Sequence, residues 1–253
     1  MTGESLKRFY EQRNSSSLRA KAKRLLLPPL PLLHNGAEPR SFGLGRFNLY
    51  IGGAGRAVDG FINLDLFAMP GVHVAADAHA LPFRAGQFTT IECDAVLEHV
   101  RSPEQVMREI DRVLQPGGYL HLVTPFCHPF HEYPKDYRRF TLQGLKELAP
   151  HLEVVAEGWR TGPTATLLVF TLEYVKLWFD FRPWRVLVHG ILGWILFPFR
   201  YLDLLLFRSS RAGNLGNHCF LWLRKPSRPA SLPADPARET SNTCNQSANS
   251  RWE

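Results

Sequence analysis

Two apolar runs, Asn48–Ile51 and Phe61–Leu66, stand only ten residues apart, and this short gap limits the fold more than any other feature. The stretch 52–61, whose last residue begins the second run, opens on Gly52, Gly53 and Gly55. Glycine at a strand-to-loop turn removes side-chain bulk and lets backbone approach a ligand closely. The second run carries Asp65 near its end, 13 residues after Gly52. A dinucleotide fingerprint places its ribose-binding acid about 20 residues on, after a full crossover helix. Ten residues leave no room for a pyrophosphate-binding helix of ordinary length. The spacing therefore favours an adenosyl ligand without phosphates, with Asp65 accepting from ribose hydroxyls. The competing reading is a plain turn with a surface aspartate.

Further elements follow in an α/β order. Val72–Ala75 and Phe88–Cys93 read as strands, the latter with Thr89, Thr90 and Ile91 supplying β-branched content. Ser102 to Leu114 is the clearest helix, with a Ser102-x-x-Gln105 capping box and Pro103 at its first position. Its stripe is Val106, Ile110, Val113 and Leu114. Pro116-Gly117-Gly118 is expected to end it, ahead of a strand over Tyr119–Thr124. A further helix starts near Thr141, and Leu152–Glu157 and Cys219–Leu223 are final strand candidates. Strands alternating with helices predict an α/β fold with a mainly parallel sheet.

The ends differ from the middle. Residues 1–40 read as a basic, proline-containing arm, with seven Lys or Arg residues ahead of LLLPPLPLL. That run starts late, holds prolines and lacks a small-x-small cleavage site, which argues against an export signal. Residues 226–253 are rich in Pro, Ser, Ala and Asn, as a disordered tail would be. The net charge of +7 favours acidic partners. Because the cations concentrate in the arm and tail, with no basic face interleaved with aromatics, a nucleic-acid role is not expected. Cys93, Cys127, Cys219 and Cys244 form no CxxC pair, so reduced thiols in a cytoplasmic setting are expected.

Asp77 follows the third strand in ADAHALPF. A carboxylate there can accept from an adenine amino group, while the Ala78 amide donates to a ring nitrogen. As a set, LYIGGAGR, GFINLDL, ADAHALPF, VLEHV and EIDRVLQPGGYLHLVTPF resemble the class I S-adenosylmethionine-dependent methyltransferases of the small type 11 domain. The resemblance runs from about Phe47 to Leu148. It implies a Rossmann-like methyltransferase domain over 41–225: a mainly parallel seven-stranded sheet with helices on both faces. It further implies S-adenosyl-L-methionine as cofactor, Gly52, Gly53 and Gly55 as the turn, Asp65 at the ribose, and Asp77 with Ala78 at the adenine. Ala54 departs from the usual Gly-x-Gly turn, with Gly55 as its replacement.

The acceptor side is sought in two segments. His99 in VLEHV can take a proton at near-neutral pH, or it fixes a loop with Glu98. Asp94 faces the same region as a second base or acceptor contact. The segment HPFHEYPKDYRRFT, 128–141, resembles one found in methyltransferases of surface-polysaccharide and glycan gene clusters. It offers His128 and His131 as bases, Arg138 and Arg139 for anions, and Tyr133 and Tyr137 for stacking on a sugar. Its structural alternative is a tight loop held by an Asp136–Arg139 pair. No third ligand stands at a metal-binding spacing from His128 and His131, so no metal is expected.

Residues 164–210 read as an apolar helical insertion. Val186–Phe199 has no charged residue, is shorter than the roughly 20 residues of a span, and is flanked by Trp, Tyr and Arg residues. Packing on the sheet, lying on a membrane surface, and spanning it are the three options. The expected activity is methyl transfer to a hydroxyl of a sugar or lipid-linked glycan. A small lipophilic acceptor of phenol or quinone type is the alternative reaction, and a non-catalytic scaffold at a membrane is the alternative class.

Overall fold

The computed structural model describes residues 27–28, 31–53, 55, 57–132 and 135–227. The expected tail, most of the expected arm, Ala54 and Tyr133 lie outside the described residues.

Seven strands form one sheet: β1 (Asn48–Ile51), β2 (Ile62–Asp65), β3 (Val74–Ala75), β4 (Phe88–Asp94), β5 (Leu114–Pro125), β6 (Glu153–Thr161) and β7 (His218–Arg224). Their order across the sheet is β3-β2-β1-β4-β5-β7-β6. The four pairings from β3 to β5 are parallel, and β7 runs against both β5 and β6. The mainly parallel seven-stranded sheet is thus present, with one antiparallel member.

Alternation sorts the strands' side chains. Leu49, Ile51, Ile91, Cys93, Leu120, Leu122, Leu221 and Leu223 point into the main core. Helices α1 (Pro103–Val113) and α2 (Leu142–Glu147) cover that face with Val106, Met107, Ile110, Val113 and Leu145. The opposite face, with Tyr119, His121 and Trp222, meets extended chain. Phe42 stacks on Tyr119 and edges onto Trp222, and Trp222 donates to the Pro39 carbonyl. The β1–β2 connection contains turns and no helix among its described residues.

Three local expectations shift. The Ser102 hydroxyl makes no cap bond, and Gln105 instead donates to the His79 carbonyl at 3.0 Å. By contrast, Thr141 does cap α2, accepting from the Gly144 amide. Pro116-Gly117-Gly118 does not separate helix from strand: α1 ends at Val113 and β5 begins at Leu114. The register jumps here, from Phe88↔Leu114 to Thr90↔Tyr119, so the extra residues bulge. Gly118 fits because a Cβ there would lie 2.8 Å from the Thr89 carbonyl oxygen.

After β6 come α3 (Pro163–Lys176), α4 (Arg182–Leu196), a 3₁₀ segment Phe197–Leu202 and the short α5 (Asp203–Leu206). They fill most of the expected insertion. α3 buries Ala165, Leu168, Val169 and Leu172, whereas Gly193 alone is buried on α4.

Candidate active site

Because β1 to β5 are parallel, their C-terminal ends share one edge, where open α/β sheets hold ligands. Gly52 leaves β1 at φ +83° and donates to the Leu64 carbonyl at 2.9 Å. A Cβ there would stand 2.2 Å from Val96 Cγ2, so only glycine fits. Gly55 also has positive φ, at +76°. Gly71, not singled out from the sequence, closes on this turn: a Cβ on it would lie 2.2 Å from the Gly55 carbonyl oxygen.

Asp65 ends β2 and is buried, its carbonyl accepting from the Ala76 amide at 2.9 Å. Asp77 sits just past β3. Its Oδ1 accepts from the His79 amide at 2.9 Å and meets His79 Nδ1 at 2.6 Å. Burial opposes its ionisation, but both His79 contacts outweigh that and hold the carboxyl below its ordinary range. His79 Nε2 in turn lies 3.4 Å from the Ser102 amide, which assigns the ring proton to Nδ1. His79 therefore ties the Asp77 loop to the start of α1. Ala78 is buried beneath. The glycine turn, Asp65 and Asp77 thus line the ends of three adjacent strands.

β4 and β5 bring a second group to the same edge. Asp94 ends β4, and Ala95 follows at φ +54°, a rare conformation for a residue with a side chain. A 3₁₀ turn, Leu97–His99, then presents Glu98 and His99. Glu98 is fully buried and neither carboxylate oxygen accepts a hydrogen bond from the described residues. Burial, reinforced by Asp94 and Asp136, pushes its pKa up to about 8. Its Oε1 is 3.7 Å from His99 Nε2.

Four imidazoles form a row. His99 and His131 have ring centroids 4.9 Å apart, His131 and His128 also 4.9 Å, and His128 and His218 5.1 Å. Each Nδ1 has an oxygen neighbour: the Lys135 carbonyl for His99, the Pro129 carbonyl for His131, Asn217 for His128 and Thr161 for His218. Burial lowers the pKa of all four, to about 3 for His218, so the imidazoles are held in the neutral form; His218 is thereby too weak a base to take a proton near pH 7, which leaves His99, His128 and His131 as the candidate acceptors. His99, His128 and His131 are thereby brought together. His218 was not foreseen. Its signal, a histidine at the start of the last strand, has no meaning until β7 is placed beside β5.

The other described acceptor candidates are all engaged by protein partners. Arg139 pairs with buried Asp136 and donates to the His128 and Pro129 carbonyls. This pair outweighs burial and keeps Asp136 ionised. Arg138 donates to the Arg101 carbonyl, and Tyr137 hydroxyl accepts from Arg101 Nε. Asp94 accepts from Arg160 at 2.8 Å and from Tyr50 at 3.3 Å. Arg160 also clasps Glu38, which contacts His121 at 3.0 Å. Glu38, at the end of the expected arm, is thus built into the sheet's polar face. A cleft of about 370 Å³ lined by Phe47, Arg84, Ala85 and Gln87 lies at the other end of the strands, away from these groups.

Comparison with known proteins gives the arrangement a setting. Residues 63–122 match the family model described as Methyltransferase domain. The match spans Asp65, Asp77, Glu98 and His99, and excludes both the glycine turn and the 128–141 segment. Demethylmenaquinone methyltransferase of Renibacterium salmoninarum is 29% identical over 108 residues, covering 42% of this chain and 41% of the relative. That of Mycolicibacterium vanbaalenii is 31% identical over 128 residues, covering 47% and 55%. The chain thus spans about half the length of the curated relatives it matches. Among solved structures, the [4+2]-cyclase SpnF has 17% identity and a TM-score of 0.48, covering 85% of this chain and 84% of its own. The 1,6-didemethyltoxoflavin-N1-methyltransferase of Burkholderia thailandensis, with S-adenosylhomocysteine bound, has 16% identity and a TM-score of 0.43, covering 71% of each.

Proposed function

We propose that this chain is an S-adenosylmethionine-dependent methyltransferase acting on a small lipophilic acceptor of the quinone or phenol type. One observation carries the reading: the glycine turn that admits no Cβ, buried Asp65 and the His79-held Asp77 end three adjacent parallel strands. This set suits an adenosyl ligand. Backbone at Gly52 can approach its amino-acid part, Asp65 can accept from ribose, and the Asp77–Ala78 loop can meet the adenine. S-adenosylmethionine supplies an electrophilic methyl on a sulfonium. The matched methyltransferase model over 63–122 supports the same assignment.

The row of neutral imidazoles beside Glu98 suits removal of a proton from an acceptor as its oxygen or carbon nucleophile forms. His99 and His131 are its members nearest Glu98, and orientation by the surrounding loops supplies much of what a methyl transfer needs. The names of the two relatives support a quinone-type acceptor over a glycan. The pairing of Arg139 with buried Asp136 points the same way, since it takes one of the two arginines of 128–141 away from a sugar.

Calorimetry with S-adenosylhomocysteine on the wild type and on Asp65→Ala tests the cofactor half. Wild-type binding that Asp65→Ala weakens at least ten-fold is expected, and no wild-type binding overturns the proposal. Labelled S-adenosylmethionine offered with demethylated quinols, small phenols and extracted glycolipids tests the acceptor half. Label confined to the glycolipid fraction would reject the lipophilic acceptor and restore the glycan.

A further inference from the structure

Among the described residues, the largest feature that the proposed reaction leaves unused is the helical hairpin of α3 and α4. The two helices pack against each other. The N-terminal part of α3 is anchored in the domain. Buried Asp203, past the end of α4, accepts from the Thr164 amide at 2.8 Å and from the Ala165 amide at 3.0 Å. The chain that leaves along α3 therefore returns beside it. The turn between the helices is the part least covered by protein: Leu177 is 78% exposed, Trp178 72% and Phe181 64%. Along α4, Trp184, Ile191, Trp194 and Ile195 are exposed as well. Water-exposed apolar surface on this scale marks an interaction site.

Length and composition alone would let Arg182–Leu206 cross a membrane. Its far end, however, is tied by Asp203 to the first turn of α3, so the segment folds back along a helix of the same domain, and a hairpin resting on a surface keeps both cap bonds.

Charge identifies the occupant. From residue 163 to 211 there are six cations, Lys176, Arg182, Arg185, Arg200, Arg208 and Arg211, against three acids, Asp180, the buried Asp203 and Glu173, which pairs with Lys176 at 2.6 Å. Lys176, Arg182 and Arg185 converge with Leu27, Val186 and His189 on a cleft of about 330 Å³ beside the apolar surface. Leu27 also marks where the N-terminal segment arrives, after seven Lys or Arg and two Glu residues. Arg200 lies over the Phe197 ring at 3.9 Å and donates to the Tyr201 hydroxyl, an arginine held against aromatic surface. Exposed Trp and Leu bordered by Arg is the pattern of a helix resting in the headgroup region. We infer that the α3–α4 hairpin docks on an anionic phospholipid bilayer, its turn inserted at the acyl boundary and Arg182 and Arg185 at the mouth of the cleft holding a headgroup phosphate.

The inference is independent of the methyl acceptor and is tested apart from cofactor binding. The full chain is floated with phosphatidylcholine vesicles, with and without about one third phosphatidylglycerol. Expected is co-flotation with the anionic vesicles, at least ten-fold weaker with the neutral ones and reversed by high salt. Arg182→Glu with Arg185→Glu, and separately Trp178→Ser with Ile191→Ser, should each reduce flotation at least ten-fold while leaving S-adenosylhomocysteine binding unchanged. All four positions are exposed, so both variants are expected to fold. No flotation, or equal binding to both vesicles at all salt concentrations, overturns the inference. So does a stable dimer by light scattering that Trp178→Ser with Ile191→Ser dissociates and that does not float, since the face would then belong to a second copy.

Discussion

Replacing Arg160 by leucine isolates the polar network on the second face of the sheet. Arg160 is largely buried and bonds to two carboxylates, Glu38 at 2.7 Å and Asp94 at 2.8 Å, with His121 meeting the same Glu38 oxygen at 3.0 Å. Burial disfavours the guanidinium charge, yet Asp94 and Glu38 outweigh it and raise the pKa of Arg160 above its already high ordinary value. Removing one member of a buried ion pair costs about 3–5 kcal/mol, because the remaining charge is stranded. Asp94 keeps partial access to water, which favours the lower end, about 3 kcal/mol. For a domain of this size about 1 kcal/mol corresponds to roughly 2–4 °C in Tm, so a loss of about 6–12 °C at pH 7 is expected. The pH dependence separates this mechanism from lost packing. In the wild type, burial works against Glu38, but His121 and Arg160 hold its pKa below the ordinary 4.5. A carboxyl depressed in the folded state stabilises above its unfolded pKa, and that contribution is lost as pH falls through the folded one. Without Arg160 only His121 is left to supply that contribution, which shrinks, so the Tm gap between variant and wild type should be largest above about pH 6 and shrink below 4.5. Thermal melts across pH 3.5–8 read both quantities. A loss under about 2 °C at pH 7, or a gap that widens in acid, would refute the reasoning.

Gly52→Ala places a methyl 2.2 Å from Val96 Cγ2 on a backbone at φ +83°, and should weaken S-adenosylhomocysteine at least ten-fold by calorimetry. Glu98 has its folded pKa raised, by burial above all, to about 8. The native state thus holds a proton that the unfolded chain has lost, and stability should fall as pH rises between 4.5 and 8. Glu98→Gln should flatten that slope in denaturant titrations. Thr141→Ala deletes the bond to the Gly144 amide and should cost about 1 kcal/mol, read as a shift in the urea midpoint. Asp203→Ala strips the carboxylate from the Thr164 and Ala165 amides, and should speed hydrogen exchange at the start of α3 well before global unfolding.

The sequence disclosed whatever is local and periodic. Asn48–Ile51 coincides with β1, and the core stripe of α1 and the Thr141 cap follow from spacing that neighbouring residues complete by themselves. It concealed whatever one segment supplies to another. Ser102 looked like half of a capping box, but the His79 carbonyl, 26 residues away, drew Gln105 off. Pro116-Gly117-Gly118 looked like a helix stop, but pairing with β4 absorbs it as a bulge. The candidate site divides in the same way. The placement of the residues proposed for the cofactor was legible because strand ends can be read from glycines and acids, one residue for each of three strands. The acceptor half depends on side-chain partners. The sequence offers Arg139 and Asp94 as available charges, and only the fold shows both spent, one on Asp136 and the other on Arg160. The reverse holds for His218, silent in the sequence, which joins the row because β7 is the strand that runs antiparallel beside β5. Since β7 enters from the edge where β1 to β5 end, its first residue, not its last, faces the site. A parallel strand there would have brought Arg224 to the same edge and set a cation, not a neutral imidazole, beside His128.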